Sequence, residues 1–462
     1  MVSRTWWSER LRRAWSLPEL RWLGAILVLA AVLRIVWVVY AAREPQGIHD
    51  PIFYFAYGQS IANGFGYALP DGSTAYYPIG YPAALAGVFA LVKHTPIPTN
   101  LVLAAASFQI FLSVATVALA YVVGRRLFSP TVGLLSALWL ALFPNLIFHT
   151  ATYLTETLFI FLVMSALVVL LSSDWRERRL GWWRLLAFGA LLGLSALVRP
   201  ISLLFLPLLP VVWLAAGFGG RRSFGYAGVV LVMTAAVIAP WAIRNAIVMR
   251  APIIISTNLG DNLCMGHYPG APGHFALPAY CFDEEPYAGL SREEFEVQRN
   301  NDNTRKAIEF ALENPRAELK LLSRKAYHLW KHDHDGLRAV ESYGDDLFID
   351  PGLRTALERV ADVFFFVTIS LGGLGLIAFA RRPWEGRRLF FLLALLALAG
   401  VPLVFFGDAR FHVPVMPLLA ISAAWFVVAL RNVPKLMRPA SAAVEGAEGE
   451  RPVAEQDALQ DA

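Results

Sequence analysis

Two acidic residues stand where apolar stretches meet polar loops. Asp50 lies in His49-Asp50-Pro51-Ile52-Phe53-Tyr54, just beyond the first apolar run, and Glu156 lies in Thr155-Glu156-Thr157 at the head of another. A carboxylate at a water interface, beside apolar and aromatic surface, can act as a general base or as a ligand for a divalent cation such as Mg, Mn or Zn. Two carboxylates facing one cleft suit either task. Each residue also has a plain structural reading. Asp50 before Pro51 is a good helix start, and an acid in a first helical turn is favoured by the helix dipole. At the level of residue types both readings stay open. His49 is a weaker candidate, because a polar side chain at an interface explains it equally well.

Three arginines occupy comparable positions. They are Arg199 before Pro200, Arg244 in Pro240-Trp241-Ala242-Ile243-Arg244-Asn245, and Arg410 in Gly407-Asp408-Ala409-Arg410-Phe411-His412. Arginine is biased to cytoplasmic loops, so arginines at the outer ends of spans are unexpected. One alone can snorkel to a lipid phosphate. Three, together with His412 and the two acids, read as a site for an anionic group, because a guanidinium grips phosphate bidentately. At the mouth of an apolar cleft, that group is a lipid phosphate. A further cluster, His332-Asp333-His334-Asp335, has metal-binding residue types. Its charged, acidic surroundings favour a solvated turn.

The elements that must carry these residues are apolar helices. Of 462 residues, 57% are hydrophobic and only 16% charged. A soluble domain is about 45–50% apolar and about 25% charged, which excludes an ordinary soluble enzyme, and a disordered chain would be apolar-poor. The fold class expected is an all-α polytopic membrane protein with about ten transmembrane helices. The spans are expected at 22–41, 100–124, 131–148, 153–171, 184–198, 201–218, 226–244, 361–380, 388–406 and 411–430. Segment 80–92 is too short to span and suits an interfacial or re-entrant helix.

With 80–92 outside the count, six basic clusters fall on one side. These are Arg4, Arg10, Arg12, Arg13 and Arg21; Arg125-Arg126; Arg176, Arg178, Arg179 and Arg184; Arg221-Arg222; Arg381, Arg382, Arg387 and Arg388; and Arg431, Lys435 and Arg438. The positive-inside rule then puts both termini in the cytoplasm. The same rule explains the net charge of +5 without invoking nucleic acid.

The expected organisation is an N-terminal transmembrane module, 1–244, with a first outer loop at 42–99. A large extracytoplasmic loop, 245–360, follows, then C-terminal spans at 361–438 and a disordered cytoplasmic tail at 439–462. The large loop holds 18 acidic and 13 basic residues, opposite in balance to the cytoplasmic loops. Its stretch Ser291–His332 has helical spacing and is expected to lie on the membrane surface as short amphipathic helices. Both cysteines, Cys264 and Cys281, sit in this loop, where an oxidising compartment favours a disulfide over two free thiols.

The chain resembles the polytopic GT-C glycosyltransferases, in particular the bacterial family-39-like group related to protein O-mannosyltransferases and aminoarabinose transferases. The resemblance rests on Asp50 with Tyr54 and GQSIANGFGY, Gly80-Tyr81-Pro82, Gly124-Arg125-Arg126-Leu127-Phe128, Thr155-Glu156, Arg199-Pro200, Pro240-Trp241 with Arg244-Asn245, Ser256-Thr257-Asn258-Leu259-Gly260 with Asn262, and Arg410-Phe411 with Pro414 and Pro417. It implies an inverting enzyme of the bacterial cell membrane that takes a monosaccharide from a polyprenyl-phosphate donor at the outer face. The acceptor would be a lipid, polysaccharide or protein. Asp50 would be the base, and Glu156 would position the acceptor or a divalent cation. Arg244 and Arg410, with Arg199 and His412, would hold the donor phosphate, while His49, Tyr54 and Tyr81 would line the acceptor or sugar pocket. Two departures are plain. The group's Arg-x-Pro-Gly-Tyr-Pro reads Tyr76-Tyr77-Pro78-Ile79-Gly80-Tyr81-Pro82, and its paired first-loop acids read His49-Asp50.

A transporter or flippase of lipid-linked sugars would share the cleft and the arginines, and so would a lipid-binding scaffold without chemistry. Ionisable residues deep in the spans would favour a transporter. The expectation is that essentially none occur apart from Glu156 near one end.

Overall fold

The computed structural model describes residues 18–436, apart from 71, 94, 96–99, 174, 176 and 381–384. Arg4, Arg10, Arg12, Arg13, Arg176, Arg381, Arg382, Arg438 and the tail 439–462 lie outside the described residues. The chain is helical, with a single two-residue hairpin among the described residues, β1 (Ala68–Leu69) and β2 (Gly72–Ser73). The helices of the first half are α1 (Pro18–Ala41), α2 (Asp50–Ala62), α3 (Gly80–Lys93), α4 (Leu101–Leu127), α5 (Pro130–Ala141), α6 (Pro144–Phe148), α7 (Glu156–Leu171), α8 (Trp182–Val198), α9 (Phe205–Ala215) and α10 (Gly220–Val248). The large loop carries α11 (Leu259–Gly266), α12 (Ala279–Phe282), α13 (Arg292–Glu313), α14 (Pro315–Trp330) and α15 (Asp335–Val340). The chain then returns through α16 (Pro351–Ala380), α17 (Gly386–Gly400) and α18 (Met416–Leu436).

Six helices are long and apolar enough to cross a membrane, and the bent pair Pro130–Ala141 with Pro144–Ala151 makes a seventh. The other three expected spans are shorter apolar helices, Glu156–Leu171, Trp182–Val198 and Pro200–Ala215. Segment 80–92 forms the 14-residue α3, which pairs with α2 at the edge of the bundle. The basic loops meet at one end of the helices. There Arg125 pairs with Glu19, Arg388 donates to the Leu127 carbonyl, and Trp175 lies against Gly386. Asp50, Glu156, Arg199 and Arg410 meet at the other end, beneath the large loop.

The expected span 131–148 is broken. Its two halves are bent by 61°. Phe143 is extended (φ −67, ψ 110), as a residue before proline prefers, and Pro144 cannot donate the hydrogen bond that would continue α5. The freed carbonyl of Ala141 accepts from Arg34 at 3.1 Å, as does that of Leu140, which also takes the Phe143 N–H at 3.4 Å, and Arg34 donates to Ser113 at 2.7 Å. Arg34 is fully buried midway along α1. This corrects the expectation that no ionisable residue lies deep in a span. The Ala141 carbonyl at the break requires a donor inside the apolar bundle, and a guanidinium supplies several.

In the large loop, α13 opens on a capping box between Ser291 and Glu294. Cys264 and Cys281 form a disulfide that ties α11 to α12. Buried Glu296 accepts from Thr74, Ala75 and Thr257, and Asp261 accepts from Tyr76, Arg299 and Asn303. These two acids fasten the large loop to the first loop.

Arg34→Ala should lower stability by about 1–3 kcal/mol, because it strands the buried Ala141 carbonyl at the break. Thermal unfolding of the purified protein in detergent reads this directly. A melting temperature equal to the wild type would show that the break does not depend on Arg34.

Candidate active site

Local sequence explains how each side chain is placed. Pro51 sits in the first turn of α2, where a missing N–H costs nothing, and Asp50 heads that helix. The carboxylate of Asp50 is not spent on capping, since His49 is the cap residue and no side-chain cap bond forms. Arg199 precedes Pro200 and is therefore extended (φ −147, ψ 117), which stops α8 and turns its guanidinium toward the head of α7. Asp408 accepts from the Arg410 N–H at 2.9 Å and starts the turn that carries Arg410. Gly407 just before it is packed so closely that a Cβ would stand 2.1 Å from the Lys325 carbonyl oxygen.

These placements converge on Arg410. Its Nη1 donates to Asp50 Oδ2 at 2.6 Å, and its Nε donates to Glu156 Oε1. Arg199 reaches the same Glu156 oxygen through Nη2 and donates Nε to Thr155 Oγ1 at 2.7 Å. Two acids and two arginines thus form one ion cluster. Its members differ in access: the side chain of Glu156 is 0% exposed and that of Asp50 is 31% exposed. Glu156 is the sealed counter-ion, and Asp50 is the acid left partly open to solvent. Among the described residues, Arg410 Nη2 and Arg199 Nη1 bond no acceptor, so each arginine keeps an amino group free. The other oxygen of Asp50, Oδ1, accepts from Tyr77 at 2.9 Å. Burial and the nearby Asp50 charge hold the Tyr77 phenol well above its ordinary pKa, so it remains a donor. Tyr54 packs edge-on against both Tyr77 and Tyr81, with ring centres 5.0 and 5.6 Å apart.

The His332–Asp335 cluster is not a solvated turn. Asp333 and Asp335 are buried, and His332 stacks on His334 with centres 4.2 Å apart. Asn145, in the short helix after the break, donates to Asp333 Oδ1 and accepts from the Gly336 N–H at 2.9 Å. A Cβ on Gly336 would stand 2.7 Å from Asn145 Oδ1 and 3.0 Å from His149 Cδ2, so only glycine allows this approach. The break therefore does two things at once. It exposes polar backbone to Arg34 and presents Asn145 as a dock for the large loop.

The remaining expected site residues separate into neighbours of the cluster and others. Tyr81 is fully buried, and its OH has no partner. His49 pairs with Asp345 at 3.1 Å and lies against Tyr343 with ring centres 5.2 Å apart. Arg244 is committed elsewhere. Its Nη1 donates to the Thr74 carbonyl at 2.7 Å and its Nη2 to the Tyr67 carbonyl at 3.0 Å, while its guanidinium lies 4.9 Å from the Trp241 ring centre. It braces the first loop and bonds none of the cluster. His412 is enclosed between Trp330 and Phe365, with one ring nitrogen on the Leu329 carbonyl and the other 3.0 Å from Asp333 Oδ1. Both of its nitrogens are taken, so it has none to offer a phosphate.

A divalent cation does not fit the residues as placed. Arg410 occupies the position between Asp50 and Glu156 that such an ion would need. Among the described residues no three His, Cys, Asp or Glu side chains group as metal ligands. Tyr77, which bonds Asp50, was not singled out by sequence reasoning as a member of the site. Tyr77 stood in the quoted first-loop motif, one residue from where the related group has Pro-Gly-Tyr-Pro.

Residues 78–243 match the family model of dolichyl-phosphate-mannose-protein mannosyltransferases. The match includes Tyr81, Glu156 and Arg199 but neither Asp50 nor Arg410. Among solved structures, the apo oligosaccharyltransferase of Archaeoglobus fulgidus aligns over 93% of this chain with a TM-score of 0.50 and 14% identity. This is a GT-C fold. The chain spans 52% of the length of that oligosaccharyltransferase. Two further solved structures align at lower scores. The same archaeal enzyme in complex with Zn and sulfate covers 91% of this chain and 51% of its own, at 16% identity and a TM-score of 0.49. ArnT from Cupriavidus metallidurans bound to undecaprenyl phosphate covers 88% of this chain and 78% of its own, at 13% identity and a TM-score of 0.40. No curated protein matches the sequence.

Gly336→Ala should push the large loop off Asn145 and cost about 1–3 kcal/mol, as overpacking does. The melting temperature should fall, and protease should cut more readily near residues 331–350. Wild-type values for both would mean that the loop is not seated by this contact.

Proposed function

We propose that this GT-C protein is an inverting glycosyltransferase that moves a monosaccharide from a polyprenyl-phosphate donor to a hydroxyl of a lipid, polysaccharide or protein acceptor. The observation that carries the reading is the division of labour in the ion cluster. One acid is reachable, one is sealed, and two arginines each keep a free amino group. Asp50 takes the proton of the acceptor hydroxyl. The acceptor oxygen attacks the anomeric carbon from the face opposite the phosphate. The bond from that carbon to the phosphate oxygen breaks, and its electron pair leaves with the polyprenyl phosphate, which gains a negative charge. Arg410 and Arg199 meet that charge with the donors they hold in reserve, and preorganised donors of this kind lower the barrier. No covalent intermediate is needed, and Glu156 serves to hold both arginines. Arg199 and Arg410 are the arginines placed for the donor phosphate. His49, beside Asp50, is the member of the expected acceptor wall that is open to solvent, while Tyr54 and Tyr81 pack behind Asp50 and Tyr77.

The proposed setting is the inner (plasma) membrane of a bacterial cell, with the cluster on the extracytoplasmic face and both termini in the cytoplasm. The clustering of basic loops at the opposite end supports this orientation. The flippase alternative gains nothing from Arg34, because its hydrogen bonds are structural.

The test is release of polyprenyl phosphate from a panel of polyprenyl-phosphate sugars by the purified protein with candidate acceptors. Asp50→Asn should reduce release by about 10²–10⁴-fold, the span typical of losing a general base. Equal release by both proteins would remove Asp50 from the chemistry. Donor binding without release across the panel would favour the flippase.

A further inference from the structure

Arg34 is a cation that no acid balances. It is fully buried midway along α1, and a guanidinium stays charged at any ordinary pH. Among the described residues no carboxylate lies within salt-bridge distance of it. The cluster at the head of α7 has no charge to spare, because two acids there already balance two arginines. Carbonyl oxygens meet most of the Arg34 N–H groups, but they carry no net charge. A buried charge without a counter-charge is costly.

Arg34 also lines a cavity inside the bundle. Ser113 and Thr116 of α4 and Thr157 of α7 share the wall with it, and the other lining side chains are aliphatic. The centre of a water-sized sphere can move through about 10 Å³ there, which is room for one small occupant. The polar groups that face this space are of one kind. A guanidinium has five N–H donors. In Arg34, Nε goes to Ser113, Nη1 to the Ala30 and Ala141 carbonyls, and Nη2 to the Leu140 carbonyl. One Nη2 hydrogen is left over. Ser113 Oγ accepts from Nε, which leaves its own hydrogen to give. Among the described residues, neither the Ser113 hydroxyl nor the Thr157 hydroxyl donates to any acceptor. Thr116 spends its hydrogen on the Leu112 carbonyl. The cavity therefore gathers three spare donors and one positive charge, with no carboxylate or amide side chain in its wall.

We propose that this cavity is a binding site for one small inorganic anion of the halide class, with chloride as the occupant. Arg34 supplies the counter-charge, and Ser113 and Thr157 supply hydrogen bonds. The same space would suit a water less well. Water brings two hydrogens that find no carboxylate or amide oxygen in the wall, and it leaves the charge unbalanced. Sulfate and phosphate are too large for it. A halide accepts from every side and cancels the charge. It joins α1, α4 and α7 at one point, and Thr157 directly follows Glu156 in the first turn of α7. The site is independent of the reading of the ion cluster as a transferase centre.

The experiment is thermal unfolding of the purified full-length protein in detergent, titrated with sodium chloride against sodium gluconate at equal ionic strength. Chloride should raise the melting temperature by about 2–5 °C as the site fills, and the rise should saturate. Gluconate should not reproduce it. Thr157→Val keeps the shape and the charge but removes one donor, and it should move the chloride midpoint up about tenfold or more. Arg34→Met should lose the response altogether, whatever its own stability. No chloride response in the wild type would overturn the proposal and leave the cavity to water. An equal response to gluconate would overturn it as simple screening, and an unchanged midpoint in Thr157→Val would place the ion elsewhere. Should the variants not accumulate, wild-type crystals grown in bromide should show its anomalous signal beside Arg34. A bromide signal absent from that position would also overturn the proposal.

Discussion

A carboxylate with no exposure to solvent, such as Glu156, is tolerable only if cations reach it. Two do, from separate parts of the chain: Arg199 at the end of α8 and Arg410 at the head of α18. Because Arg410 also holds Asp50, the first loop is drawn into the same cluster. One sealed acid thus obliges three distant segments to meet. The partly exposed Asp50 is held in place by the same guanidinium that seals its neighbour. A carboxylate is fixed in this way without being buried.

The rest of the molecule can be understood as support for that meeting point. Arg199 is aimed by the extended backbone that Pro200 imposes, and Arg410 by the cap from Asp408. The break before Pro144 bends a span by 61° and leaves carbonyls that Arg34 satisfies from inside the bundle. The turn after that break offers Asn145 to the large loop. The loop is seated there through Gly336, and Glu296 and Asp261 fasten its far side to the first loop. The charged groups of the cluster and of the break are therefore bonded in pairs and triads.

Much of this was legible in the sequence. The apolar stretches lie where they were expected, because spanning helices announce themselves by length and composition. Asp50, Glu156, Arg199 and Arg410 were conspicuous for the same reason: a charged residue at the edge of an apolar run has few ordinary explanations. What could not be read depends on long-range pairing. Arg34 looked like one polar residue diluted in an apolar window, and its meaning lies in a break more than a hundred residues away. The His332–Asp335 cluster looked solvated because its neighbours in sequence are charged, yet Asn145 buries it. Arg244 and His412 had the right residue types at the right ends of helices, but backbone carbonyls and Asp333 claim their donors. Residue type and depth give a list of candidates, and only tertiary contacts say which of them remain free.

The central claim is that Arg410 and Glu156 act as one buried unit that places Asp50. A double-mutant cycle tests it most directly, with thermal unfolding in detergent for wild type, Arg410→Met, Glu156→Met and the combined variant. Each single change should cost about 3–5 kcal/mol, because it leaves a buried charge without its partner. The double variant should cost clearly less than the sum, since it removes both charges together. Additive losses, or single variants as stable as the wild type, would contradict the account.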